Sequence, residues 1–494
     1  MPVFRAGLFS EACPDFVGSD RLGVVASSAA GITECVPREL TTVCQETHNS
    51  TRCRNLQATC RHPAEPVLQR RCEKSMAETS DAGKVVHAPP NNTALAAELE
   101  ELLSVVEPAS VANVVLQRAF AHGATDIHLD PTNVGTRIRF RVDGVLQDIL
   151  PIPADKAAVL LSRIRVMASM DITERRLPQD GAIPAEKFPG LPRDIRVGSS
   201  QTVNGERLVL RLMPDPENFN TLESLGFHDD QLSAVNRLAA APYGLLLVVG
   251  PVGSGKSTTV YSLLNRLNSA EKSVVTIEDP VERRIPLSNQ IQVDNRTGLN
   301  FATALRGTLR QDPDIICVGE IRDAETAQIA CRAATTGVLV LSTLHANNTA
   351  SAVDVLRGFG IPSMAIADSL RGVIAQRLVR RVSEDSREEI TPDDEARRLL
   401  HLEEGDTETR IVRGIPTNAN FNTGYSGRTA VFETLEVSPP VRHAINDGEP
   451  AFRIHQVAQE NGMRKLEDAT RQKVLSKVTS VEELHRVMSD ADFG

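Results

Sequence analysis

Leu245-Leu-Leu-Val-Val-Gly-Pro-Val-Gly-Ser-Gly-Lys-Ser-Thr258 is the stretch on which the reading of this chain turns. Leu245 to Val249 are apolar without alternation, as in a strand buried on both faces. The following residues fit G-x-x-x-x-G-K-S. Such a loop lets backbone N–H groups curl around phosphate oxygens where a helix begins, and the helix dipole adds to the attraction for an anion. On this reading Gly250, Pro251, Val252, Gly253, Ser254, Gly255, Lys256, Ser257 and Thr258 form a nucleotide cradle. Lys256 reaches the β- and γ-phosphates, and the Ser257 hydroxyl ligates Mg²⁺. ATP and Mg²⁺ are the expected ligands.

Downstream, further apolar runs at Val274–Ile277, Ile315–Val318 and Val338–Ser342 alternate with helical segments. That spacing predicts a largely parallel sheet with covering helices, hence an α/β motor domain. Each run delivers polar residues at its end. Thr276-Ile-Glu-Asp-Pro-Val-Glu282 offers carboxylates that can polarise water or hold a metal's hydration shell. Ile315-Ile-Cys-Val-Gly-Glu320-Ile-Arg322 delivers an acid and then an arginine, the pattern of a Walker B segment, in which Glu320 holds Mg²⁺ through water. Leu339-Val-Leu-Ser-Thr-Leu-His345 places a histidine where it can sense the γ-phosphate.

Working outward, Met213 to Asn220 is rich in proline and short polar residues, and residues 213–221 read as a linker. Before it, residues 93–212 read as a small α/β domain. Its strand-period run Thr136 to Val142 leads into the Asp143-Gly144 hairpin turn, and a helix is expected from Lys156 to Met170. After residue 382, residues 383–422 form an acidic, irregular insertion, and 423–494 read as a C-terminal helical region. Residues 1–92 show no sustained period and are expected to be a disordered or mis-annotated leader, with Met76 as the candidate true start.

Composition narrows the function. The chain has 494 residues, 41% hydrophobic and 24% charged, with a net charge of −10, no Trp and three Tyr, which argues against a nucleic-acid binder with a basic face and aromatic platforms. No apolar run is long enough to span a membrane, which needs roughly 18 to 20 residues. Cys13, Cys35, Cys44, Cys53, Cys60 and Cys72 crowd the N-terminus without a C-x-x-C pair, so zinc spacing is absent there.

In order, these segments resemble the type II/type IV secretion ATPase family. The resemblance runs from about Ala109 to the C-terminus. It includes Asp126-Ile-His-Leu-Asp130, Arg139-Phe-Arg-Val-Asp-Gly144, Arg175 to Gly181, Thr303 to Asp314, Ile374-Ala-Gln-Arg-Leu-Val-Arg-Arg381, Gly424 to Arg428 and Phe432-Glu433. It implies a PAS-like domain before a RecA-like P-loop motor, assembled as a homo-hexamer with ATP between subunits. It also implies Glu282 as catalytic general base, Glu320 as the Walker B glutamate and His345 as the histidine-box residue. Arg139 would act on the neighbour's nucleotide, and Arg306, Arg310, Arg322 and Arg428 match arginines that contact phosphates or couple domains.

Departures from the family qualify this picture. Val338 stands where a second histidine is usual, and residues 383–422 carry no Cys, so no zinc site is expected. The expected function is ATP hydrolysis that powers assembly of a type II secretion pseudopilus or a type IV pilus. It would act through an inner-membrane platform protein and other secretion components, from the cytoplasmic face of the membrane. The rivals are a pilus retraction ATPase and a nucleic-acid translocase; no nucleic-acid partner is expected.

Overall fold

The computed structural model describes residues 92–105, 108–215 and 220–492. The expected leader lies outside the described residues except for Asn92, as do residues 216–219 of the linker.

Residues 93–212 build one antiparallel sheet of six strands: β1 (Asp126–Thr132), β2 (Gly135–Val142), β3 (Val145–Pro153), β4 (Gln179–Ile183), β5 (Ile195–Thr202) and β6 (Gly205–Leu212). Their order is β3-β2-β1-β6-β5-β4. Alternation sorts the side chains by face. Ile127, Leu129, Ile138, Phe140, Ile195, Val197, Leu208 and Leu210 are buried in one core with residues of the helices Thr93–Val105, Pro108–Ala121 and Ala154–Met167. Burying each large apolar side chain contributes roughly 1.5–3 kcal/mol. The other face is a charged carpet, because Asp126 pairs in register with Arg141 and with Arg211, and Arg211 with Arg196.

The motor sheet follows: β7 (Gly244–Val249), β8 (Val274–Glu278), β9 (Asn289–Gln292), β10 (Ile315–Val318), β11 (Leu339–Leu344), β12 (Leu370–Val382) and β15 (Tyr425–Glu436), in the order β15-β12-β7-β11-β10-β8-β9. Strands β12 to β9 run parallel, and β15 pairs antiparallel with β12. The runs β7, β8, β10 and β11 are buried at every position, as expected of strands covered on both faces. Two apolar clusters, around Leu245–Leu305–Val340 and around Leu246–Leu263–Phe432, fill the two sides of this sheet.

Where the structure differs from the sequence reading, the reasons are local. Residues 425–436 fall in the region read as helical, yet they form β15, whose residues from Thr429 to Leu435 are all buried and so show no alternation. Strands β4 and β9 are short edge strands in which a single isoleucine, Ile183 or Ile291, stands among polar or small residues, too little for an apolar run or an alternation. The insertion read as irregular holds an antiparallel strand pair, β13 (Arg387–Ile390) and β14 (Ile411–Gly414), with a short helix, Asp394–Leu399, in the connection between them. Ala396, Leu400 and Ile411 of the insertion pack with Val474 and Leu484 from the final helices, an apolar satellite core that holds this segment. No helix among the described residues is long and apolar enough to cross a membrane.

Candidate functional site

In an open parallel sheet, ligands bind beyond the carboxyl ends of the strands, and the residues flagged in the sequence gather there. The phosphate loop follows β7, the acidic segment follows β8, Glu320 follows β10 and His345 follows β11. Adjacent tips are tied together, since Thr343 Oγ1 donates to the Gly319 carbonyl at 2.8 Å and the Ile321 N–H donates to the Thr343 carbonyl.

The phosphate loop has a backbone only glycine tolerates at two positions. Gly250 (φ +151°) leaves no room for a side chain, because a Cβ would stand 2.5 Å from the Gln376 carbonyl oxygen and 2.7 Å from Ser254 Oγ. Gly255 (φ +89°) caps the helix Lys256–Leu267 in the left-handed region, and a Cβ there would meet Gln376 Nε2 at 2.7 Å. The Lys256 ammonium donates to the Gly250 and Pro251 carbonyls at 2.8 and 3.0 Å. Burial lowers its pKa to about 8, opposed by Glu320 and reinforced by Arg377. Ser254 Oγ is buried without a hydrogen-bond partner. A partly desolvated cation beside a glycine cradle at a helix N-terminus suits a phosphate chain, so these residues fit a nucleotide. Pro251, Val252 and Ser257 are exposed at the loop surface, and Thr258 is half-buried in the first helical turn.

Glu320 is the hub of the second group. It pairs with Arg322, its Oε2 lies 3.6 Å from His345 Nε2, and its charge reaches Lys256. Arg322 also contacts Asp279 Oδ2 at 3.4 Å and lies over the Phe301 ring. Glu320 raises the Arg322 pKa, so this guanidinium stays charged.

The acidic segment divides into a buried and an open carboxylate. Glu278 is 8% exposed and accepts hydrogen bonds from Tyr261, from Thr276 Oγ1 at 2.5 Å and from Gln290 Nε2 at 3.0 Å. Tyr261 Oη in turn accepts the backbone N–H groups of Glu282 and Arg283 at 3.2 Å. This tyrosine therefore ties the nucleotide-loop helix to the segment that carries Glu282. Glu282 presents surface to solvent but protein atoms crowd its carboxyl. Its pKa is raised by that desolvation and then by Glu278, against the pull of Arg196, Arg211 and Arg283. A carboxylate with a raised pKa is better matched to taking a proton from water near neutral pH.

Arg139 stands apart from this cluster. Its guanidinium bonds Asp130 at 2.7 and 2.6 Å on the charged face of the six-stranded sheet, and Arg207 shares the same carboxylate. Arg306 pairs with Glu325 and Arg428 faces Asp143. Sequence reasoning missed Tyr261, Gln290 and Gln376, whose roles come from cross-strand and helix-to-strand contacts that no local spacing reveals.

A phosphate-loop strand inside a parallel sheet, with His345 beyond the adjacent strand β11 and carboxylates beyond β10 and β8 on the same edge, defines a RecA-like P-loop ATPase. The family model described as "Type II/IV secretion system protein" matches residues 101–486. The type II secretion system protein HxcR of Pseudomonas aeruginosa is 41% identical over 397 residues, covering 80% of this chain and 81% of that protein. The type IV pilus assembly ATPase PilB of Thermus thermophilus is 41% identical over 371 residues, covering 75% of this chain but 42% of its own length. The solved ATPase DotB of Legionella pneumophila shares the fold with a TM-score of 0.58 at 21% identity, over 76% of this chain and 95% of that one. The chain belongs to the type II/IV secretion system protein family and is an ATPase.

Proposed function

We propose that this ATPase drives assembly of a type II secretion pseudopilus or a type IV pilus, working as a homo-hexamer. It would stand at the cytoplasmic face of the inner membrane and act on a platform protein there. Residues 250–258 cradle the phosphates. Ser257 and, through water, Glu320 would hold Mg²⁺, which supplies charge neutralisation on the phosphate oxygens. Glu282 takes the proton of the attacking water, Arg322 keeps Glu320 oriented, and His345 senses the terminal phosphate.

The observation that carries the multi-subunit reading is the position of Arg139. It is held by Asp130 on the charged sheet face, and no residue of the chain's own phosphate loop is among its contacts. An arginine presented in this way suits the nucleotide of an adjacent copy, where its charge would offset the developing anion. Arg139→Ala should bind Mg-ATP normally as a single chain and lower turnover in assemblies. Titrated into wild type, it should depress activity more steeply than simple dilution. Linear dilution would overturn the trans assignment.

A further inference from the structure

The stretch Ile374 to Arg381 marks the family in the sequence and includes a buried glutamine, Gln376, beside the phosphate loop. Strand β12 lies parallel to β7 with Ala375 opposite Val249, so the register sets Gln376 beside Gly250, the first residue of the phosphate loop. Gln376 is 2% exposed. Its Nε2 donates to the Ser254 carbonyl at 2.8 Å, and its Oε1 accepts from Thr259 Oγ1 at 2.6 Å. Thr259 sits fully buried in the first turn of the helix Lys256–Leu267. One amide therefore staples the loop to the helix it leads into, from a neighbouring strand.

Backbone bonds from the Ser254 N–H to the Pro251 carbonyl and from the Thr259 N–H to the Gly255 carbonyl hold the peptides on either side. Gly255 caps the helix without a side-chain hydrogen bond and glycine accepts either sign of φ, so the side-chain anchor on the Ser254–Gly255 peptide itself is Gln376. A trans peptide points its C=O and N–H in opposite directions. Anchoring the Ser254 carbonyl to Gln376 thus turns the Gly255 N–H away from β12. The next residue reinforces the arrangement: Arg377 donates to the Gln376 carbonyl at 3.3 Å and to the Asn347 carbonyl at 2.9 Å, two residues past His345.

We propose that Gln376 is a positioning residue for the phosphate loop, holding the Ser254–Gly255 peptide so that the Gly255 N–H faces the nucleotide's phosphates. The inference rests on residues 250–258 being the nucleotide cradle. Without Gln376 the peptide samples both orientations, and nucleotide binding must select one of them, which weakens affinity by the fraction lost. Chemistry at saturation is unaffected, because bound phosphate restores the orientation.

The test measures Mg-ADP affinity by fluorescence titration and steady-state hydrolysis for Gln376→Met and Thr259→Val in the full chain. Gln376→Met, similar in length but unable to donate, should raise the Kd for Mg-ADP and the KM for ATP about tenfold, the equivalent of one net hydrogen bond, with kcat changed by less than about twofold. Thr259→Val, which keeps the amide but frees its far end, should weaken binding by about threefold. A purely structural role would lower the melting temperature and leave Kd alone. Wild-type affinity in folded Gln376→Met overturns the proposal, and so does wild-type affinity in Thr259→Val should the first variant not fold. Failure of wild-type protein to bind Mg-ADP would instead refute the cradle itself, and the inference would fall with it.

Discussion

Lys256 offers a quantitative prediction without any substitution. Burial lowers its pKa from 10.5 to about 8, so in the free protein the ammonium proposed to meet the phosphates begins to lose its proton just above neutrality. Nucleotide binds the protonated form. Affinity should therefore be constant well below pH 8 and fall about tenfold per pH unit above it, giving a Kd roughly ten times weaker at pH 9 than at pH 7. Phosphate anions hold the lysine protonated in the complex, so binding at pH 9 should take up a proton. Burial pushes Tyr261 and Cys317 far upward, and the nucleotide's terminal phosphate, with a pKa of about 6, is ionised throughout, so none of these three contributes to the decline. Calorimetry with Mg-ADP from pH 7 to 9.5, in buffers of differing ionisation enthalpy, reads both the affinity and the proton count. Lys256→Arg should bind more weakly but lose the alkaline decline, because guanidinium stays charged. A flat Kd across this range, with no proton uptake, would refute the desolvated-lysine argument.

Two further perturbations address the acidic segment and the motor's core. Glu278 is the second cause of the raised Glu282 pKa, after desolvation. A base must be ionised, so activity is lost as pH falls through this raised value; Glu278→Gln should move the acid limb of kcat/KM to lower pH, and an unmoved limb would contradict the coupling. Glu433, 2% exposed, accepts from the Thr349 N–H at 3.0 Å, from the Thr349 hydroxyl and from His455 Nε2. Those hydrogen bonds hold its carboxyl below the ordinary glutamate range despite burial, so its contribution is present above that range and lost as pH falls through the depressed value. Glu433→Ala should cost about 3 kcal/mol at neutral pH in chemical denaturation, with a smaller penalty in acid; a cost that did not change with pH would contradict this.

The motor half of the fold was legible because buried parallel strands announce themselves as unbroken apolar runs, and the helix after Lys256 follows a glycine loop of recognisable spacing. The charged sheet face was legible through the alternation of Arg137, Arg139 and Arg141 with Ile138 and Phe140. Strand β15 was not, since burial on both faces erases the period and its buried polar residues, Thr429, Glu433 and Thr434, break the apolar run. The same limit applies to the site. Lys256, Glu282, Glu320 and His345 can be named from strand tips, whereas Gln376 reaches the phosphate loop only because β12 and β7 pair in one particular register. Tyr261 is similar: it lies on a helix with apolar neighbours and reads as core until its hydroxyl is found between Glu278 and the Glu282 N–H.

The proposed mechanism turns on Glu282 removing the proton from water that attacks a nucleotide held by the loop after β7. Single-turnover hydrolysis of Mg-ATP by Glu282→Gln, with binding measured on the same preparation, tests it most directly. Binding within about twofold of wild type and hydrolysis slowed by at least about a hundredfold is the expected result. Hydrolysis at the wild-type rate would remove Glu282 from the mechanism.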